Sequence, residues 1–146
     1  MAYLPHLIAI LVGADLTIQV GMNATMRGAI DSTLIATIVN FAVGLIALGA
    51  MAVFAGARVP LASLQTVPVW AWFGGLLGAT YVAAATVLGP RLGAAALLAL
   101  TLVGQMVAAL AVDHYGAIGF PQVPVSAPRV VGVVLLVIGV VLIMRR

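Results

Sequence analysis

The chain has 146 residues, of which 65% are hydrophobic and only 6% charged. A soluble globular domain carries about 25% charged residues, so this composition excludes a water-covered surface and points to a membrane protein. The absence of cysteine excludes a disulfide scaffold or thiolate metal site, and the net charge of +3 rests on scattered arginines with no lysine, which excludes a phosphate-gripping patch for nucleic acid.

A helix needs about 20 apolar residues to cross the hydrocarbon core, and the chain accommodates five such stretches in a single transmembrane domain over residues 1–146. The first is predicted at about 4–22, from Leu4 to Met22, and is broken by the polar run Asn23 to Ser32, which holds Arg27, Gly28 and Asp31. A second follows at about 33–54. Gly56, Arg58, Pro60, Ser63, Gln65 and Pro68 mark a loop, after which the third span runs over about 69–88, opened by Trp70 and Trp72 as interfacial anchors. Gly89-Pro90-Arg91 is read as closing that span, because proline lacks a backbone N–H and disfavours helix at the residue before it. The fourth span is placed at about 92–112 after a tight turn. The longest loop then carries Asp113, His114, Tyr115 and Gly116, with Gly119, Pro121, Pro124 and Pro128 excluding regular helix. The fifth span covers about 129–144, ahead of Arg145 and Arg146.

Apolar residues come in continuous blocks and not in period-2 alternation, which excludes a membrane β-barrel and leaves an all-α bundle. No cleavable signal is expected, since no positively charged region precedes the first span. Arg58 and Arg129 fall on one side of the membrane, and Arg27, Arg91, Arg145 and Arg146 on the other, which weakly favours the carboxyl end inside. The internal loops alone balance at two against two, so insertion in both orientations, and an antiparallel pair of chains, stays open.

Polar residues stranded in apolar spans must face protein or water and are the functional candidates. Asp15, Gln19 and Asn23 recur every four residues and so share one stripe of the first helix. Asp15 is a carboxylate that could exchange a proton for a cation, or a structural hydrogen-bonding group. Asn40, between Thr37 and Gly44, is explained first by interhelical packing, with cavity lining as the alternative. Gly74 and Gly78 form a small-xxx-small pair suited to close helix approach, with Tyr81 on the same face able to stack on a cation. Gln105 with Thr101 and Gly104 is either a cavity group or interhelical glue. Gly132 and Gly139 make the last span a packing or dimerisation helix. His114 is read as a loop cap and not a metal ligand, since His6 and His114 are the only histidines. Asp113 should satisfy loop amides or pair with an arginine. No phosphate loop, His-Glu-x-x-His or usable Ser/His/Asp set is present, so no enzyme and no cofactor are expected.

Together, Gly13, Gln19 and Asn23, then Phe41 and Gly44, the run from Trp72 to Ala79 with Tyr81, Pro90-Arg91-Leu92-Gly93, Gly104-Gln105, Asp113-His114-Tyr115-Gly116, and Arg129 with Gly132, resemble the YdcZ-type family of bacterial inner-membrane proteins. The resemblance covers nearly the whole chain. It implies membership of the drug/metabolite transporter superfamily, a multi-pass place in the inner membrane, and a five-helix protomer assembling as an antiparallel dimer with itself or a homologous partner. It carries Gln19, Asn23, Tyr81, Gln105, Asp113, His114 and Arg129 over as pattern positions, whereas Asp15 departs from the uncharged residue expected there. The resulting expectation is a secondary transporter of small polar or cationic organic molecules, with coupling to protons through Asp15. A channel-like facilitator would use the same carboxylate as a filter, and a non-transporting scaffold would need only the glycine faces.

Overall fold

A computed structural model describes residues 3–58 and 61–145. Pro60, expected in the second loop, and Arg146, one of the carboxyl-terminal arginines, lie outside the described residues. Among the described residues the regular structure is entirely helical: α1 Leu4–Ile30, α2 Thr33–Phe54, a short α3 Leu61–Leu64, α4 Gly74–Leu92, α5 Ala94–Tyr115 and α6 Ala127–Met144, with a 3-10 turn Val69–Phe73 leading into α4. Five of these stretches are long and apolar enough to cross a membrane, the 3-10 turn and α4 counting as one. The chain divides into two compact units, Met1–Arg91 and Leu92–Arg146. In the first, α1 packs on α2; in the second, α5 packs on α6.

Little of the apolar surface is inside. Val20, Ala36 and Ala85 are buried in the first unit and Leu97 and Val140 in the second, while large side chains such as Leu11, Ile46, Leu77, Leu135 and Leu142 are more than half exposed. In water so large an apolar surface would be an aggregation liability; in a bilayer, acyl chains are its natural solvent, and the helices satisfy their own backbone groups.

The second span occupies the predicted residues, but the other boundaries move. α1 does not end at Met22: it continues for two further turns, because Asn23, Thr25 and Arg27 are polar without being helix breakers, and Thr25 Oγ1 donates back to the Gly21 carbonyl at 3.0 Å. The helix stops where Asp31 takes a left-handed conformation (φ 54°) and its N–H donates to the Arg27 carbonyl at 2.8 Å. At 27 residues α1 is about 40 Å long, more than the hydrocarbon core, so its last turns reach beyond it.

Pro90 likewise does not close the third span, because it lies inside α4. Its fixed φ is helical, and in the last turn only one backbone bond is forfeited. The helix breaks three residues later at Gly93, whose φ of 83° a residue with a side chain would adopt only under strain. α5 accordingly begins at Ala94 and not Leu92. It also runs past Val112 through Asp113, His114 and Tyr115, until Gly116 (φ 59°) caps it by donating to the Val112 and Asp113 carbonyls. Pro128 is not loop either: α6 begins at Ala127, and proline is tolerated in a first turn, where its N–H has no helical partner to lose.

Candidate functional site

Asp31 and Ser32 are the only break between α1 and α2, so the two helices run antiparallel, with Ser32 Oγ accepting from the Ile35 amide at 3.3 Å to start the second. Midway along the pair, Gln19 Nε2 donates to Asn40 Oδ1 at 3.4 Å. Both side chains are half-buried. Among the described residues of the first unit this is the sole hydrogen bond between side chains. The threonines nearby turn inward on their own helices: Thr17 Oγ1 donates to the Gly13 carbonyl at 3.3 Å, Thr37 to Thr33 at 2.9 Å and Thr86 to Val82 at 2.7 Å. A hydroxyl bonded in this way has spent its one donor and can only accept from a neighbouring helix.

The amide pair forms the polar end of a cavity of about 320 Å³, continued by Phe41, Gly44, Leu45 and Leu48. In an antiparallel pair, a step of four residues back on α1 is level with four residues forward on α2. Asp15 therefore stands at the height of Gly44, one turn beyond the amide pair, and it is exposed on the protomer. Asn23 lies one turn the other way and is buried, 3% exposed, near the level of the buried Ala36 and Thr37. Phe41 is a wall of two cavities, the second, of about 330 Å³, being lined by Thr37, Ile38, Ala79, Thr80 and Ala83 among others. Tyr81, on α4, is half-buried.

The glycines expected to serve close packing are not held by it within their units. A Cβ added at Gly78 would lie 3.8 Å from Phe41 Cζ, an ordinary contact, and at Gly74, Gly132 or Gly139 it would meet nothing within 4 Å. Trp70 and Trp72 are exposed in the 3-10 turn that opens the third span, as anchors at an interface would be.

In the second unit Gln105 is exposed on α5. Asp113, His114 and Arg129 build a clamp on the connection between α5 and α6. Arg129 forms an ion pair with Asp113 through Nη2 and Oδ2, and its Nη1 donates to the Val123 carbonyl at 3.1 Å. The Val123 amide donates to the Asp113 carbonyl at 2.7 Å, Gln122 Nε2 to the His114 carbonyl at 3.0 Å, and the Val125 amide to His114 Nδ1 at 3.3 Å. These bonds satisfy a loop that proline denies a regular ladder. His114, in the last turn of α5, thus meets the loop through its Nδ1, and no group of three or more metal-ligating side chains occurs among the described residues. Arg129 also borders a third cavity, of about 430 Å³, with Leu102, Met106, Leu110, Gly132 and Leu136. Sequence reasoning did not single out Gln122, Leu45 or Leu48. Leu45 and Leu48 look like any lipid-facing leucine in the sequence, and in the structure they line the open side of the first cavity at 71% and 65% exposure.

Five apolar spans, with an amide pair bordering a cavity between two of them, define a multi-pass membrane protein. The family model described as "Putative inner membrane exporter, YdcZ" matches residues 4–142, and the chain belongs to this family. That places it in the inner membrane and points to a transporter rather than an enzyme. No curated protein and no solved structure matches the chain.

Proposed function

We propose that the protein is a secondary transporter of small polar or cationic organic molecules, which bind at the Gln19–Asn40 pair. The hydrogen bond between these side chains carries the reading. Carboxamides inside apolar spans are costly unless bonded, and these two leave several donors and a carbonyl oxygen to offer a ligand beside a cavity. Asp15, one turn away, is the charged group of the site. Its exposure on a lipid-facing protomer is best relieved by a second copy, so the working form is an antiparallel dimer in which two Asp15 carboxylates border a midplane pathway. Glycines that pack against nothing in their own units, such as Gly132 and Gly139, suit the contact between copies. Two carboxylates in a low-dielectric cavity resist standing unpaired, so release of a cation is matched by uptake of a proton.

The test is reconstitution of the purified chain in liposomes, with proton movement followed on addition of a panel of organic cations. Wild type should show substrate-dependent proton flux, and Asp15→Asn should lose it. Flux that survives Asp15→Asn but disappears in Gln19→Leu would keep the site and remove the proton coupling. Flux indifferent to both substitutions would reject the site, and current without countertransport would identify a pore.

A further inference from the structure

Gly44 stands in the middle of the cavity that begins at Gln19 and Asn40 and ends at Leu48. Nothing in the protomer requires a glycine there. A Cβ at this position would meet no atom within 4 Å, and the residue lies within the regular helix α2. Glycine inside a helix costs up to about 1 kcal/mol relative to alanine, so its presence has to be explained by something other than packing on α1. What its missing side chain does create is room, at the point where the cavity passes from polar to apolar lining.

The two ends of the cavity differ in chemistry. Four amide N–H groups and two carbonyl oxygens belong to the Gln19–Asn40 pair, and their mutual bond uses one of each. Whichever way the two amides are oriented, three N–H groups and one free oxygen face outward, which matches a head group that both accepts and donates hydrogen bonds. Beyond Gly44, Leu45 and Leu48 offer only hydrocarbon and, at 71% and 65% exposure, leave that end of the groove open to the membrane. From Asn40 to Leu48 is eight residues of helix, about 12 Å.

We infer that the site takes a small amphiphile, with its donor–acceptor head on the Gln19–Asn40 pair and its apolar body running past Gly44 to Leu48, and that Gly44 sets the bulk and length of body admitted. The inference rests on the binding site proposed above and names the class of molecule it accepts. A side chain at residue 44 shortens the slot, and loss of the Leu48 side chain lengthens it.

The experiment is equilibrium dialysis of the detergent-purified full chain against primary alkyl carboxamides from acetamide to octanamide, with affinities referred to the free aqueous concentration. Wild type should show an optimum chain length. Gly44→Ala and Gly44→Val should move that optimum progressively to shorter chains, weakening longer members by roughly fourfold for each methylene displaced. Leu48→Ala should move it to longer chains, and Gln19→Leu should weaken every length in the same proportion. Four results would each overturn the inference: no carboxamide bound by wild type, an unmoved optimum in the Gly44 variants, uniform weakening in them, or dissociation of the assembly by Gly44→Ala on light scattering. Dissociation would make the glycine an interface residue. Because binding is read without transport, length-selective binding by a chain that moves no substrate would support the inference while rejecting the transporter reading. Transport with no length preference would do the reverse.

Discussion

Gln19 donates to Asn40 across 3.4 Å between two helices whose remaining surface is almost wholly hydrocarbon. The pair sits at one height of a hairpin in which Asp15 and Gly44 share the next turn and Asn23 the turn before, so a stripe of α1 and a stripe of α2 meet at their polar positions. That coincidence brings together residues that, taken singly, would pass for packing.

Gln19→Leu and Asn40→Leu separate the chemical role of the pair from its structural one. Side-chain hydrogen bonds between membrane helices average about 0.6 kcal/mol, so either variant should melt close to wild type in detergent. Substrate-dependent flux in liposomes should nonetheless fall to background. A large loss of thermal stability with retained flux would make the pair a structural strut.

The Asp113–Arg129 pair should hold the loop between α5 and α6. Both side chains are partly exposed, 22% and 32%, so the ion pair itself is worth at most about 1 kcal/mol. Arg129 also donates to the Val123 carbonyl, which Asp113→Asn would leave intact. Arg129→Leu should therefore raise protease cleavage within residues 117–125 more than Asp113→Asn does. Equal cleavage in wild type and both variants would show that the clamp is not what orders this loop.

The same loop is held from another point, where the Val125 amide donates to His114 Nδ1 at 3.3 Å. His114→Leu removes the acceptor and should lower hydrogen-exchange protection of the Val125 amide. His114→Asn, which keeps an acceptor near the Nδ1 position, should restore most of that protection. Equal protection in wild type and both variants would show that this bond does not hold the loop.

Gly116 and Gly78 should respond oppositely to alanine. Gly116 has φ 59°, and an added Cβ would lie 3.0 Å from Gln122 Cβ and 3.3 Å from its backbone. Gly116→Ala should cost on the order of 1–3 kcal/mol and disturb the α5 cap. Gly78→Ala, inside α4, brings its Cβ only to an ordinary 3.8 Å contact with Phe41 and should stabilise by up to about 1 kcal/mol. Thermal unfolding in detergent compares them directly, and equal losses would show that the left-handed cap is not under the strain its geometry implies.

Five spans, the membrane setting and the polar stripe of Asp15, Gln19 and Asn23 were legible in the sequence by itself. Each depends on local quantities: summed hydrophobicity over about 20 residues, and a helical period that places every fourth residue on one face. Helix ends were less legible. Polarity at Asn23 and proline at position 90 were read as stops, whereas the backbone stops only where Asp31, Gly93 and Gly116 turn left-handed. Such a dihedral depends on the residues that follow as much as on the residue itself. The tertiary structure alone decided that Asn40, and not Thr37, is the partner of Gln19, that Arg129 closes on Asp113, and that Leu45 and Leu48 line a cavity. Those facts depend on how one helix is rotated and shifted against the next. Among nearly uniform apolar surfaces, no local pattern specifies that rotation, and only the packed pair of helices does.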